Sequence, residues 1–493
     1  MERRAKASGT AANTFYNIAY RVFSILLPLL TAPYLSRTVG QEGVGLYSYA
    51  WSISYIACLI GKLGLADYGV RTIVRVRDDR EQLDRTFSQI WTMQLLVAGV
   101  TLVGYIAFVL FGAGEEKTIA LHFTLMSVSC LVDLDWCLMG LDRFRAIAIR
   151  NTCVKLLAAA AVFLFVRGPE DLWIYAFVWS LSTLIGCVSC ALSLRGTVRY
   201  HRPSLREALT HLRPCAVLFI SVMAVNVYRT MDKVMIGAMS SMEQNGYYEN
   251  AEKIIYCLSG FISAVGTVML PKVSHMLRQG KRDEVIRHID LSMQLVLCMV
   301  CAMAFGLAAV AEDLAPLFYG EAFRYSGTLM VPLAMTLIMI GFANVIRTQW
   351  ILPQSRDSVF VRSVTTGAAI DLVANAVFIP RYGAAGALVG TLLAEGSVPV
   401  VQFLILRKEL PYRRYLLYLL EYCAAGLVMT LTVWAVRGLL PSGWGGLALQ
   451  VLIGAACYGV LCLGLWIVTK NRRVLRLIPI LGKRLARQET KSC

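Results

Sequence analysis

The sequence predicts an all-α, polytopic membrane protein, and three observations carry that reading. The chain is 57% hydrophobic and only 16% charged, where a soluble domain would carry about 25% charge. Apolar runs of about 20–27 residues recur from near residue 12 to residue 468, each long enough to cross ~30 Å of hydrocarbon as a helix. The connections between the runs alternate between short polar segments and longer, strongly basic ones. A backbone in lipid must satisfy its own hydrogen bonds, so helices or a closed barrel are the only choices. Barrel strands read as ten-residue alternating segments, and these runs are too long and too continuous for that.

Taken in order, about fourteen spans are expected near 12–37, 44–66, 86–111, 118–140, 146–167, 171–195, 212–238, 247–273, 286–311, 326–352, 358–380, 384–406, 414–437 and 445–468. The apolar stretch behind the N-terminus resembles a secretory signal at first sight. It is too long, contains Arg21 and lacks a small-residue cleavage site, so it is expected to be the first span, retained. The short connections are TVGQEG, GAGEEK, RGPED, MSSMEQNG and PRYGAAG. The long basic ones include DYGVRTIVRVRDDREQLDR, RGTVRYHRPSLREALTHLRP and SHMLRQGKRDEVIRH. Most of the 48 Lys and Arg lie on the side of these basic connections and of both termini, while the other side holds only isolated cations such as Arg37, Lys117, Arg167, Arg324, Arg381 and Arg437. By the positive-inside rule both termini are expected in the cytoplasm. The net charge of +17 is thereby explained by anionic lipid rather than by nucleic acid, because it is dispersed over the linkers. The tail NRRVLRLIPILGKRLARQ reads as an interfacial amphipathic helix.

An internal repeat organises the spans. GLYSYAWSI at 45–53 resembles GYYENAEKI at 246–254, with glycine, Tyr47/Tyr248 and Ala50/Ala251 in register. Both open the second helix of a hairpin. Two related six-helix halves follow: an N-terminal lobe at 1–195, a cytoplasmic linker at 196–211 and a C-terminal lobe at 212–406. Two extra helices occupy 407–468, ahead of a basic tail at 469–493. Transporters are often built from such repeats.

Seven cations fall inside the spans: Arg21, Lys62, Lys155, Arg229, Lys233, Lys253 and Arg347. A charge near a bilayer centre costs roughly 2.5–3.5 kcal/mol on insertion scales. Lys62 and Arg347 sit near cytoplasmic ends and Lys233 and Lys253 near outer ends, where snorkelling is the competing explanation. Arg21, Lys155 and Arg229 are deeper. Asn226, Arg229 and Lys233 recur at i, i+3 and i+7, on one helix face. Acids also lie in the spans: Asp133, Asp135, Asp232, Glu252, Asp371, Glu395 and Glu421. Ion pairing is the rival of a binding role, but the first half has deep cations on helices 1 and 5 and acids only on helix 4. A surplus facing water would form a chamber that attracts an anionic cargo. Asp371 and Asn375 on helix 11 and Thr391 and Glu395 on helix 12, together with Asp232, offer oxygens for a hard cation or a proton. No phosphate-binding loop and no His or Cys metal spacing is present, so neither an ATPase nor a metalloenzyme is expected. The intramembrane C-x-x-C pairs Cys187/Cys190 and Cys298/Cys301 read as packing residues.

The stretches PYLSRTVGQEGVGLYSYAWSISYIACLIGKLGLADYGVR, DKVMIGAMSSMEQNGYYENAEKI, VMLPKVS and NAVFIPRYGAAGALVGTLLAEG resemble the polysaccharide transporters, or Wzx-type flippases, of the multidrug/oligosaccharidyl-lipid/polysaccharide exporter superfamily. The resemblance covers helices 1–2, 7–8 and 11–12 in the expected order. It implies two six-helix lobes around a cationic cavity, alternating access, and an undecaprenyl-pyrophosphate-linked oligosaccharide as cargo, turned to the outer leaflet for O-antigen, capsule or exopolysaccharide. Arg21, Lys155, Arg229 and Lys253 would then contact pyrophosphate or acidic sugars. Asn226, Lys62, Lys233 and Arg347 complete the candidate substrate set. Similarity to the lipid II flippases implies a coupling site, for sodium or a proton, at Asp232, Asp371, Asn375, Thr391 and Glu395. It also implies that helices 13 and 14 border a groove for a lipid tail. A polymerase and glycosyltransferases are the expected protein partners. Lipid II flippase and cation-coupled drug exporter remain the alternatives, and a non-transporting scaffold is disfavoured by deep charges on several helices.

Overall fold

The computed structural model describes residues 2–114 and 116–469, with side chains from Leu27 onward except at 144–146, 220–222, 224, 225, 227 and 228. Among the described residues the chain is helical, without a β-strand. The helices are α1 (Glu2–Lys62), α2 (Leu65–Val76), α3 (Arg80–Ala107), α4 (Lys117–Val132), α5 (Asp135–Gly140), α6 (Phe144–Phe165), α7 (Leu172–Ser193), α8 (Leu205–Leu209), α9 (Leu212–Met239), α10 (Met242–Arg278), α11 (Arg282–Tyr319), α12 (Arg324–Leu333), α13 (Thr336–Ile346), α14 (Asp357–Tyr382), α15 (Ala384–Leu406), α16 (Tyr412–Arg437) and α17 (Trp444–Val468). They form two compact units, 1–249 and 250–493, and the chain passes from one to the other within α10. The expected amphipathic tail helix lies outside the described residues.

Eleven helices are long and apolar enough to span a membrane among the described residues, or twelve if the bent pair Glu321–Leu333 and Thr336–Gln354 is one span. The difference from the expected fourteen has three sources. The first two expected spans are counted as one, although α1 is two helical stretches that meet at a kink at Gly40 (φ 70°, ψ −177°). Gly40 supplies a positive φ that other residues adopt at a cost. In α9 only part of the side chains is described. Near 326–352 the span is broken, with a 42° bend and a π-helical turn at Arg347–Ile351.

In the first unit, α1 packs against α3, α4, α6 and α9, and α4 against α7. The stretch expected as a basic connection after Asp67 is instead mostly helix. Gly64 turns the chain at φ 69°, and α2 then buries Leu65, Gly69 and Ile73 while Arg71 and Arg75 stay outside the core, an amphipathic pattern with helical period. Glycine contacts seat α2 on α5: a Cβ at Gly69 would lie 2.7 Å from the Trp136 ring, and one at Gly140 2.6 Å from Ile73. Phe87, Ile90, Met93, Trp136 and Cys215 close this core at the end that carries the basic connections.

The expected span at 118–140 is interrupted at Asp133 and Leu134, whose backbone leaves the helical region. The carbonyls freed by that break find a buried donor: Gln94 Nε2 donates to Cys130 O at 2.7 Å and to Asp133 O at 2.9 Å. Gln94 Oε1 accepts from the Trp136 indole at 3.0 Å. This is how a break survives in a lipid-embedded bundle, where each orphan carbonyl is costly.

In the second unit, α11 is the central rod and packs against α12, α13, α16 and α17, while α14 and α15 form a tight pair. Small residues allow the approach: Gly327 lies on the Ala311 carbonyl, Gly341 on Val300 and Gly426 on the Phe305 ring. The C-x-x-C cysteines of α11 pack as expected. Cys298 Sγ is 3.8 Å from Cys462 Sγ and Cys301 Sγ is 3.9 Å from Cys423 Sγ, all as thiols. Between α10 and α11 the chain turns at Gly280, φ 74°.

At the entrance to α9, His211 Nδ1 lies 2.6 Å from the Tyr68 hydroxyl and Nε2 lies 3.2 Å from Gln89 Oε1. Burial pushes the imidazole below its ordinary value. The folded state therefore binds this proton less readily than the unfolded chain does. The stabilisation is present above the ordinary histidine value of about 6.5 and is lost as pH falls through and below it. The melting temperature should decline between about pH 7 and pH 5.5, and His211→Gln should flatten that decline, as read by thermal unfolding in detergent. Gln94→Leu should lower stability by about 3 kcal/mol, because it orphans two carbonyls and an indole N–H; a loss below about 1 kcal/mol would show that the break is satisfied by other means.

Candidate functional site

The two repeated segments meet each other. A Cβ at Gly45 would collide with the Met242 carbonyl and lie 2.8 Å from Gly246 N. A Cβ at Gly246 would collide with the Gln41 carbonyl and lie 3.2 Å from Gly45 N. Each collision is the image of the other under the offset of 201 residues that also relates Ser48 to Glu249, whose side chains hydrogen-bond at 2.9 Å. Asn245 Nδ2 adds a bond to Gly45 O at 2.8 Å. The crossing is therefore pseudo-symmetric down to individual atoms, and only glycine fits on either side of it.

Polar side chains of α9 and α10 are fixed by this crossing. Lys233 is ion-paired with Glu249 at 3.0 Å, both largely buried, so Glu249 holds Ser48 and Lys233 together. The Asp232 carboxylate is buried and accepts from the Tyr248 hydroxyl at 2.7 Å. Tyr248 is thus more than the repeat marker it is in the sequence: it orients an acid. Two turns before Lys233, on the same face of α9, Asn226 Oδ1 accepts from Tyr55 OH at 3.0 Å, and Tyr55 stacks on Trp51 with ring centroids 4.9 Å apart. Gly237 makes room for the Tyr49 ring. Arg229, between these groups, is exposed.

The other cations of the first unit divide by surroundings. Lys62 is paired with Asp133 at 2.5 Å, beside the break that Gln94 bridges. Arg150, which the sequence pattern did not single out, is bound to Asp135 at 2.9 Å and to its neighbour Asn151. Both intramembrane acids of helix 4 are thereby engaged. Lys155 sits one turn beyond Arg150 on α6, half-buried. Arg21 lies outside the described side chains.

In the second unit, Lys253 is half-buried on α10. Arg347 opens the π-helical turn and stacks over Phe360, 4.9 Å from the ring centroid. Asp371 and Asn375 are buried on α14 and converge on Gly390 of α15, where a Cβ would lie 3.2 Å from Asp371 Oδ1 and 2.9 Å from Asn375 Cγ. Gly390 thus keeps open the space the two oxygens share. Thr391 follows directly, its hydroxyl donating to Ala387 O at 2.9 Å, and half-buried Glu395 is one turn on. Four of the five expected coupling residues therefore lie on one helix pair, while Asp232 belongs to the first unit with Tyr248. Carboxylate, amide and hydroxyl oxygens suit a hard monovalent cation or a proton. No cluster of three His, Cys, Asp or Glu fit for a metal ion occurs among the described residues. At the loop that follows α15, Glu409 takes two bonds from Arg356 Nη1, at 2.8 and 2.6 Å, and one from the Trp350 indole at 3.0 Å. Burial alone would raise this carboxyl, but those donors hold it below its ordinary value.

Comparison with known proteins agrees with this architecture. The family described as "Polysaccharide biosynthesis protein" matches residues 10–277. The chain belongs to that family. The family described as "Lipid II flippase MurJ" also matches, over residues 172–448. A protein of Escherichia coli K12 described as "Putative O-antigen transporter" is 21% identical over 401 residues, 80% of this chain and 96% of that one. Another of Haloferax volcanii, described as "Probable low-salt glycan biosynthesis flippase Agl15", is 21% identical over 76% of this chain and 78% of its own length. The solved lipid II flippase MurJ in an inward closed conformation superposes with a TM-score of 0.76 over 93% of this chain and 99% of that one, at 14% identity. The fold of this multi-pass membrane protein is therefore that of the solved flippase.

The glycine crossing is the part of the site most open to direct test. Gly246→Val should abolish stable insertion or cut the folded yield at least about tenfold, since a Cβ there meets backbone that cannot move aside. The same change at Gly99, where a Cβ meets nothing within 4 Å, should leave the yield near wild type. Equal yields from the two variants, measured by size-exclusion chromatography of purified protein, would count against the crossing.

Proposed function

We propose that this protein is a flippase that moves lipid-linked oligosaccharides across the bacterial cytoplasmic membrane for surface-polysaccharide assembly. The observation that carries the reading is Arg229, an exposed cation in the interior of α9, a 28-residue helix of sufficient length to cross the hydrocarbon layer. Facing acyl chains there costs roughly 2.5–3.5 kcal/mol; facing a solvated chamber costs far less and offers an anion a forked donor. Lys155 and Lys253, half-buried on other spanning helices, extend the same chemistry, and Arg21 is placed with them by sequence. The cargo that fits is a polyprenyl-pyrophosphate sugar: its diphosphate answers the cations and its prenyl chain stays in lipid. The names of the relatives, an O-antigen transporter and a glycan flippase, support the sugar class.

Transport works by alternating access of two six-helix lobes, and the atom-level symmetry of the Gly45/Gly246 crossing supports a two-half machine. Asp371 and Asn375 at the Gly390 gap, with Thr391, Glu395 and Asp232, take up the coupling sodium ion or proton. The positive-inside pattern puts both termini in the cytoplasm, where glycosyltransferases supply the cargo; a polymerase consumes it outside. The protein acts as a secondary transporter rather than an enzyme. A second reading, lipid II as cargo, is favoured by the match over residues 172–448.

Purified protein in proteoliposomes should translocate a fluorescent polyprenyl-pyrophosphate oligosaccharide. Arg229→Ala should slow this at least about tenfold, with partial recovery in Arg229→Lys, in line with the loss of a charge-assisted contact of about 1.5–3 kcal/mol. Full transport by Arg229→Ala sinks the chamber reading. Asp371→Asn should remove the dependence of the rate on a sodium or proton gradient; a gradient response equal to wild type removes that site from the mechanism. In cells, loss of the gene should strip a surface polymer, whereas lysis on depletion would favour the lipid II reading.

A further inference from the structure

A separate concentration of cations lies at the end of the first unit that carries the basic connections. The segment after α7 folds back along the first turns of α3, and two buried α3 side chains hold it. Asp84 Oδ1 accepts from the Arg199 backbone N–H at 2.8 Å, and Ser88 Oγ accepts from the His201 N–H at 2.9 Å. Further on, Ser204 caps α8 through the Glu207 N–H, and Glu207 is ion-paired with Arg85 at 2.8 Å. That pairing and the Ser204 contacts hold the Glu207 carboxyl below its ordinary value. The clamped segment walls a cavity of about 690 Å³ lined by Arg80, Arg85, Arg199, His201 and Arg202, within the size range of small-ligand sites. Glu81, Asp84 and Glu207 offset part of the charge. Arg80, Arg199 and Arg202 form no ion pair among the described residues.

The segment that walls the cavity also exposes apolar side chains next in sequence to the lining residues. Tyr200 is 44% exposed and meets the Trp91 ring edge-on at 5.3 Å. Leu205 and Leu209 lie one turn apart on α8 and are 58% and 42% exposed. A dissolved anion needs only the cations. A phospholipid needs cations next to a surface for its chains, with aromatic rings at the boundary, and this cavity has all three.

We propose that this cavity is a binding site for the phosphoryl headgroup of an anionic phospholipid in the leaflet facing the basic connections. The guanidinium groups of Arg80, Arg199 and Arg202 hold the phosphate. Tyr200, Leu205 and Leu209 meet the glycerol and the upper acyl chains. The site lies apart from the intramembrane cations assigned to cargo, and its occupant is a membrane lipid rather than a transported one.

The test uses the full chain in neutral detergent, with short-chain phosphatidylglycerol, phosphatidylcholine of the same chain length, and inorganic phosphate as probes, and reads affinity by native mass spectrometry and thermal shift. Phosphatidylglycerol should bind and phosphatidylcholine should not. The triple variant Arg80→Gln, Arg199→Gln, Arg202→Gln should lose at least about tenfold in affinity, each cation near an anionic headgroup counting for roughly fivefold. Leu205→Ser with Leu209→Ser should weaken phosphatidylglycerol severalfold and leave any phosphate binding unchanged. These are exposed side chains, so the variants should keep the wild-type melting temperature without lipid. Equal binding of the two lipids overturns the proposal, as does wild-type affinity in either variant. Inorganic phosphate that binds as tightly as phosphatidylglycerol would assign the cavity to a dissolved anion and overturn it too.

Discussion

Close approach of two backbones at Gly45 and Gly246 is the constraint on which the polar interior depends. Helices in lipid gain little from burying apolar surface against each other, because lipid is as apolar as they are; contact and hydrogen bonding must hold them. Removing both Cβ atoms lets α1 and α10 touch backbone to backbone. Contact at that range brings Ser48 to Glu249, and Glu249 in turn holds Lys233. Tyr248, two residues past the glycine, then reaches Asp232. Ala50 and Ala251, the third matched pair of the repeat, are both buried. One small-residue crossing thus sets where five charged or polar side chains of the first unit stand.

The same logic, small residues in exchange for polar order, recurs in the second unit. Gly386 and Gly390 let α14 and α15 approach until Asn375 and Asp371 fill the space a side chain would take. A carboxylate and an amide held at a helix contact in lipid are costly unless they are met by polar partners. Gln94 shows how that demand is satisfied at the α4–α5 break, where protein donors and acceptors meet each other.

Much of this was legible in the sequence. Apolar run length located the helices. The offset between GLYSYAWSI and GYYENAEKI pointed to a symmetric pair that proves to be a physical contact. Other features were hidden for identifiable reasons. Gly40 lies in the short polar connection TVGQEG, yet no loop opens there: the chain kinks from one helical stretch directly into the next. The α2 segment, rich in arginine, reads as a loop until its period of Leu65, Gly69 and Ile73 is set against the Trp136 it packs on. Gln94 and Arg150 act on partners 36 to 42 and 15 residues away, and no local spacing announces such pairs. Cation lists by themselves also could not show that Lys62 pairs with Asp133.

The lengths of α10 and α11 carry a mechanical consequence. At 37 and 38 residues and 1.5 Å per residue, each is about 56 Å long, nearly twice the thickness of the hydrocarbon layer. The excess of roughly 25 Å per helix is divided between its two ends, one of them at the Gly280 turn. A tilt of about 10° over the full length of either helix would displace its end at that turn by roughly 10 Å relative to the other end. A spin label or fluorophore placed there would act as the pointer of a gauge, reporting angular movement too slight to resolve among the packed segments below.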